Sequence, residues 1–277
     1  MRLSVGCAMW SHKAWTARMV PAKGKPLPAY ARWCDAVEGN TTFYATPAPE
    51  TVESWAAQTP PEFRFVLKFP KAVTHEHRLT GTAPLISQFM RVMAPLGPRL
   101  HAYWIQLPGS FGPGELPALA RLLDELPPQH RYAVEVRHPG FFAEPGPLEE
   151  VLAGRAEWVP FDTTAFFATP PTSDAERDAW ARKPRMPHRT TALTAHPIVR
   201  YLGRDATAET IAGWQPWVHT AARWLREGRS PTVFLHTPDN ADAPALARIF
   251  HSEVRALVPQ LEPLPDPEPI EQPLTLF

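Results

Sequence analysis

Short apolar runs alternate with longer helix-permissive stretches along the whole chain, and this alternation limits the folds open to it most strongly. The runs fall at residues 3–6, 36–43, 63–69, 102–107, 132–137, 158–162, 198–202 and 232–236. Each is the length of a strand, and most are bounded by Pro, Gly or charged residues. The stretches at 27–34, 49–58, 84–93, 115–125, 147–152, 208–226 and 243–257 have helical spacing. Strands alternating with helices build βαβ units and a parallel sheet. Eight such units in 277 residues predict an α/β fold that closes as one TIM-type (β/α)8 barrel, rather than an open doubly wound sheet.

Two segments break the rhythm. Between residues 163 and 196 the chain is rich in Pro, Thr, Arg and Lys, and only 174–182 has helical character. A long loop is expected there, and loops of this length in compact domains act as lids or are mobile. The barrel is expected to occupy residues 1–257. From 258 to 277 the sequence VPQLEPLPDPEPIEQPLTLF is dominated by Pro and acidic residues, which cannot build a core, so a flexible tail is predicted. That tail nevertheless ends in an apolar cluster.

Charge and cysteine content exclude several roles. Lys and Arg balance Asp and Glu at 28 each, so no overall field draws the chain to nucleic acid or to an anionic membrane. Unaided DNA binding is expected to be weak. Two cysteines, Cys7 and Cys34, are too few for a disulfide scaffold at this length. The opening MRLSVGCAMW lacks a basic region followed by a long apolar run, and no stretch approaches the length of a membrane helix. A cytoplasmic location without membrane contact is the expectation.

In a parallel barrel both strand faces are buried, so an ionisable side chain pointing inward needs a partner or a function. Polar residues near the carboxyl ends of the runs therefore mark the candidate site: Glu38 and Asn40, Lys68, Gln106, Glu135 with Arg137, Asp162, Arg200 and His236. Barrel enzymes keep their sites at this end. Glu38, Glu135 and Asp162 supply acid and base, while Lys68, Arg137 and Arg200 balance them and hold an anion. The plain alternative is a buried ion-pair network that merely closes the barrel. The loops add His75, His77, His138, Asp239 and Asn240. His138 directly follows the Glu135–Arg137 pair, whereas His75-x-His77 is a weak metal signal without a third ligand.

The segment VEGNTTFYATPAPETVESWAAQTPPEFRFVLKFPKAVTHEHRL resembles the core signature of the YecE-like family, also called domain-of-unknown-function family 72. GCAMWSHKAW, IQLPGSF, VEVRHPGFF, VRYLGR and VFLHTPDNADAPALA continue the resemblance to about residue 257. It implies a TIM-type barrel whose site draws on Glu38, Asn40, Thr42, Tyr44, Lys68, His75, Gln106, Pro108, Glu135, Arg137, His138, Arg200, His236 and Asn240. The chain departs from the family pattern at Leu202, where a His is frequent, and at His236-Thr237, where paired Asn is frequent.

Three functional expectations follow. The first is an enzyme or binding protein for a small anionic or phosphorylated molecule. In it Glu38, Glu135, Asp162, His138 and His236 do acid–base work, while Asn40, Thr42, Tyr44, Lys68, His75, Gln106, Arg137, Arg200 and Asn240 bind. No cofactor is required for this chemistry. The second is a divalent-metal phosphodiesterase, similar in outline to the endonuclease IV group, with Glu38, Glu135, Asp162, His138 and His236 as ligands. The interleaved Lys and Arg suit a cationic centre poorly. The third is an adaptor role. Gln272, Leu274, Leu276 and Phe277 resemble the peptides that bacterial DNA-polymerase clamp partners insert into the sliding clamp, although Gln lies one position further out than in the commonest form. The competing expectation for the tail is docking on its own barrel.

Overall fold

The structure is a computed structural model that describes residues 1–20 and 24–267. Its strands are β1 (Ser4–Cys7), β2 (Ala36–Gly39), β3 (Arg64–Lys68), β4 (Leu100–Gln106), β5 (Tyr132–Glu135), β6 (Glu157–Trp158), β7 (Phe161–Asp162), β8 (Ile198–Leu202) and β9 (Thr232–His236). All pair in parallel, in the order β6-β5-β4-β3-β2-β1-β9-β8-β7. The two ends of that order belong to one stretch of chain, because only Val159 and Pro160 separate β6 from β7. Pro160 has no N–H and interrupts the strand there. Val159 still donates to the Val134 carbonyl (2.8 Å), and the Pro160 carbonyl accepts from Arg200 N–H (3.0 Å). The first half therefore holds β5, the second holds β8, and the sheet closes into the expected (β/α)8 barrel.

The helices follow the sequence pattern with two instructive differences. Residues 174–182 and 243–257 are helical as expected. The stretch at 208–226 is two helices, Thr207–Gly213 and Gln215–Arg226, because Pro216 cannot donate a helical hydrogen bond and restarts the helix. The run at 36–43 is a strand only to Gly39. Asn40 then turns into the α region, and Thr41–Tyr44 form one helical turn.

Two layers of core result. Inside the barrel, Ala36, Val66, Ala102, Trp104, Ala133, Val159, Ile198 and Phe234 pack together, with Trp104 stacked on Phe234 at 6.1 Å. Outside, Val37, Phe65, Leu67, Tyr103, Val134, Tyr201 and Leu235 meet helix residues such as Phe89, Leu122, Trp217 and Phe250. The segment between β7 and β8 forms a cap with its own small core. Phe166, Ala179 and Met186 pack on Phe161 and Leu202. A buried ion pair fastens it, with Arg204 Nη2 2.6 Å and Nε 3.1 Å from the Glu176 carboxylate. Ser173 caps the helix Asp174–Arg182 by accepting from Glu176 N–H, and its hydroxyl donates to Asp205.

The last helix ends at Leu257. Val258 and Leu261 are still buried beyond it, and Arg255 holds the Leu261 carbonyl at 3.1 Å. The chain thus stays part of the barrel's outer layer past the boundary expected at 257. Gln272, Leu274, Leu276 and Phe277 lie outside the described residues. Among the described residues, no helix is long and apolar enough to cross a membrane.

Candidate functional site

Strand parity aims the polar cluster. Side chains alternate along a strand, so the residue two beyond an interior apolar residue also points inward. Ala36 leads to Glu38, Val66 to Lys68, Trp104 to Gln106, Ala133 to Glu135, Ile198 to Arg200 and Phe234 to His236. All six expected residues stand in one inward layer at the carboxyl ends, above the aromatic floor of Trp104 and Phe234.

Glu38 is fully buried at the centre of this layer. Its Oε1 lies 2.7 Å from Lys68 Nζ, and its Oε2 lies 3.2 Å from Arg200 Nε and 2.9 Å from His236 Nε2. Lys68 Nζ also donates to Gln106 Oε1 at 2.8 Å and sits 4.9 Å from the Trp104 ring centre. Arg200 stacks on Phe161 at 4.4 Å. Glu135, equally buried, accepts from Arg137 Nε (2.7 Å) on Oε1, with Arg137 Nη2 2.6 Å from the same oxygen. Its Oε2 has no hydrogen bond among the described residues, and Arg200 Nη1 is 3.8 Å from it.

The charge states follow from these contacts. Burial works against ionising Glu38, but Arg200 and Lys68 outweigh it and hold its pKa well below the usual carboxylate range. Burial likewise opposes Glu135, and Arg137 and Arg200 bring it below its ordinary value. Burial pushes Lys68 down to about 8, with Glu38 opposing the shift. Burial and then Arg200 lower His236 to about 4, so it is neutral at pH 7. A neutral imidazole has one N–H, and the shorter contact assigns that proton to Nε2, donating to Glu38 rather than accepting from Arg200 at 3.3 Å.

The remaining expected residues divide. Asn40 Nδ2 donates to the Ala8 carbonyl (2.9 Å) and ties two rim loops together. The Thr42 hydroxyl lies 2.7 Å from the Lys68 carbonyl and 2.9 Å from the Gly39 carbonyl, bracing β2 against β3. His75 stands at the rim edge-on to Phe43, within electrostatic reach of Arg137 and Glu135. Pro108 lies just beyond β4, where its carbonyl accepts from Phe111 N–H at 2.9 Å. Tyr44 is 73% exposed and stands outside the cluster. His138 Nδ1 accepts from Gly140 N–H at 3.0 Å, and the ring packs beside Gly112 in its own loop. Asn240 folds onto its own turn, with Oδ1 accepting from Thr237 N–H at 3.4 Å.

Asp162 is a correction. Val159 and Phe161 take the inward positions, so Asp162 points outward into the layer between strands and helices. There it accepts from Trp217 Nε1 (2.6 Å) and from Thr164 N–H (2.8 Å) and hydroxyl (2.7 Å), with His188 Nδ1 3.0 Å away. It fastens the outer helix and the cap and contributes no carboxylate to the mouth. The five-ligand metal set that included Asp162 and His138 is therefore not brought together. Among the described residues, no group of three His, Cys, Asp or Glu side chains is placed to hold a metal ion.

Lys183, half-buried, is the residue that sequence reasoning missed. It follows the helix Asp174–Arg182. The cap holds this segment over the end of β7, where the Thr163 hydroxyl donates to the Pro184 carbonyl (3.1 Å) and accepts from Met186 N–H (3.0 Å). Burial lowers Lys183 to about 8, and the charges of Arg200, Glu38 and Arg137 all act on it. Among the described residues its ammonium has no ion pair or side-chain hydrogen bond. A loop lysine far from every strand carries no sequence signal for this position.

A closed parallel barrel with a buried mixed-charge cluster at its carboxyl ends defines a TIM-type barrel protein. The sequence matches the family described as "Protein of unknown function DUF72" over residues 4–271, and the chain belongs to that family. It is 39% identical over 266 residues to the UPF0759 protein YecE of Escherichia coli K12, covering 94% of this chain and 96% of that one. The O157:H7 counterpart matches equally. Two crystal structures of DUF72 family proteins share the fold. One, from Thermotoga maritima, gives a TM-score of 0.68 at 21% identity, covering 94% of this chain and all of the other. The second, from Enterococcus faecalis, gives 0.67 at 18% identity, covering 97% of this chain and all of the other.

Proposed function

We propose that the barrel mouth binds a small phosphorylated or carboxylated molecule, and that Glu135 serves it as a general base. The observation that carries this reading is an uncompensated cationic surplus. Among the described residues the carboxylates paired with Lys68, Arg137 and Arg200 are Glu38 and Glu135, His236 is neutral, and Lys183 adds a further cation acting on the cluster. A purely structural network gains most from balancing its charges, because an unmatched buried charge is costly. An arriving anion completes the balance. Arg137 is the most exposed of the three strand-end cations, which gives the anion a partner at the entrance.

The two carboxylates take different roles. Glu38 is held by three partners and anchors the cluster. Neither Glu38 Oε1 nor Glu135 Oε2 has an aligned hydrogen bond among the described residues, but Lys68 holds the former at 2.7 Å while Arg200 stands 3.8 Å from the latter; Glu135 is ionised, as a base must be. Calorimetric titration with inorganic phosphate, glycerol phosphate and citrate tests the binding. Saturable binding that Lys183→Ala weakens about tenfold is expected, the loss of one charge-assisted contact. A wild-type protein that binds none of them saturably would overturn the reading.

A partner is proposed on the tail sequence alone: a bacterial sliding clamp, engaged by Gln272, Leu274, Leu276 and Phe277. What supports it is the combination of a Pro- and acid-rich approach with a terminal apolar anchor.

A further inference from the structure

A cavity of about 480 Å³ opens at the opposite, amino-terminal end of the barrel. That volume is within the range of small-molecule sites. Its walls come from the starts of β4, β5, β6 and β8 and from the turns leading into them. Leu123, Leu126 and Pro128 form an apolar side, and Arg131, His101 and His196 form a polar one.

This polar side is built rather than incidental. His101 sits at a register shift between β3 and β4 and reaches the Thr232 hydroxyl at 3.4 Å. The His101 and His196 rings meet edge to face at 5.7 Å. His196 Nδ1 is buried with no hydrogen-bond partner among the described residues. The Arg131 guanidinium has no ion pair or side-chain hydrogen bond among them.

The carboxylates nearby are already engaged. Glu157 accepts from Thr194 N–H (2.8 Å), the Thr194 hydroxyl (2.7 Å) and Leu193 N–H (3.1 Å). Asp35 is paired with Arg2 at 2.8 Å, and Asp124 with Arg155 at 2.9 Å. Arg64, which acts electrostatically on His101, donates to the backbone carbonyls of Pro61 and Phe63. Burial first, then Arg131, hold His101 down near 3, so the rings are neutral beside an unmatched guanidinium. Imidazole pairs of this kind become donors when an anion arrives.

We propose that this cavity is a second anion site, taking a small molecule with a phosphate or carboxylate group on Arg131, His101 and His196 and an apolar body against Leu123, Leu126 and Pro128. It is separate from the mouth by the height of the barrel, on the order of 15 Å for strands of this length. Its existence does not depend on the mouth binding anything.

The test uses the full chain and two probes of matched shape, bromophenyl phosphate and bromobenzoate. Anomalous bromine density from soaked crystals reports where they bind, and calorimetry reports affinity for the wild type and for Arg131→Gln. Arg131 is exposed and makes no ion pair or side-chain hydrogen bond among the described residues, so the substitution is expected to leave folding intact. Bromine density between Leu126 and His196 for either probe is expected, with affinity reduced about tenfold or more in the variant. A preference between the probes tells whether the natural group is a phosphate or a carboxylate. Density confined to the mouth, absence of density for both probes, or equal affinity in Arg131→Gln would overturn the proposal.

Discussion

Replacing Glu38 by Gln keeps the size of the side chain and removes one charge from the centre of the cluster. Two cations then lose their compensating anion, Lys68 at 2.7 Å and Arg200 at 3.2 Å, and the neutral His236 at 2.9 Å loses a charged acceptor for its N–H. Breaking a buried ion pair from one side costs about 3–5 kcal/mol. The partial solvent access of Arg137 and the second carboxylate at Glu135 place the expected loss at the lower end, about 3 kcal/mol at pH 7. For a chain of this size each kcal/mol moves Tm by roughly 2–4 °C, so a drop of about 6–12 °C is expected by calorimetry.

The pH dependence sharpens the test. In the wild type Lys68 titrates in the fold near 8, below its ordinary 10.5, so its contribution to stability rises as pH climbs from 8 towards 10.5. Without Glu38 the Lys68 pKa falls further, so the folded variant gives up the Lys68 proton at lower pH than the wild type does. The gap between variant and wild type therefore narrows as pH rises towards 8 and levels off above it, where Lys68 is neutral in both folds. Glu38 behaves oppositely: its pKa is depressed, so its contribution is present above about 4.5 and is lost as pH falls below that. A Glu38→Gln protein less than 1 kcal/mol weaker than the wild type at pH 7, or a gap that widens between pH 8 and 10, would refute the arrangement.

Asp162→Asn is expected to cost about 2 kcal/mol at neutral pH, since it weakens charge-assisted contacts to Trp217 and Thr164, while anion affinity at the mouth stays unchanged; melting curves and the same titrations check both. Arg204→Ala leaves Glu176 buried and unpaired, so limited proteolysis should cut residues 163–196 at least tenfold faster than in the wild type. Glu176 lies at about 2 in the fold, below its ordinary 4.5, so the cap should also loosen in the wild type as pH falls from 4.5 towards 2; uniform protease resistance across that window counts against it as a pH-dependent fastening. A peptide of residues 268–277 is expected to bind a bacterial sliding clamp, with Phe277→Ala abolishing it; absence of binding by the intact peptide ends that proposal.

Much of the barrel was legible in advance, for reasons particular residues show. The runs at 198–202 and 232–236 match β8 and β9 residue for residue, because an apolar run bounded by Pro and turn residues leaves little choice of end. Breaks in the pattern hid where structure overrode propensity. Pro216 divided one expected helix into two, and Asn40 ended β2 before its apolar run ended.

The same contrast governs the site. By itself the sequence determined the fold class and six of its inward polar residues, since a charged side chain two places beyond an apolar one reports strand parity directly. Asp162 gave no such report. Trp158, Val159, Pro160 and Phe161 are apolar on both faces, so parity was undefined until the barrel closed through Val159 and Pro160 and turned Asp162 outward. Lys183 and the His101–His196 cavity were equally invisible, because a capping segment and a register shift bring them into place from outside the strand pattern. Alternation along one strand fixes which face a residue takes. Only closure of the sheet and packing of the cap decide which residues from distant segments share a volume.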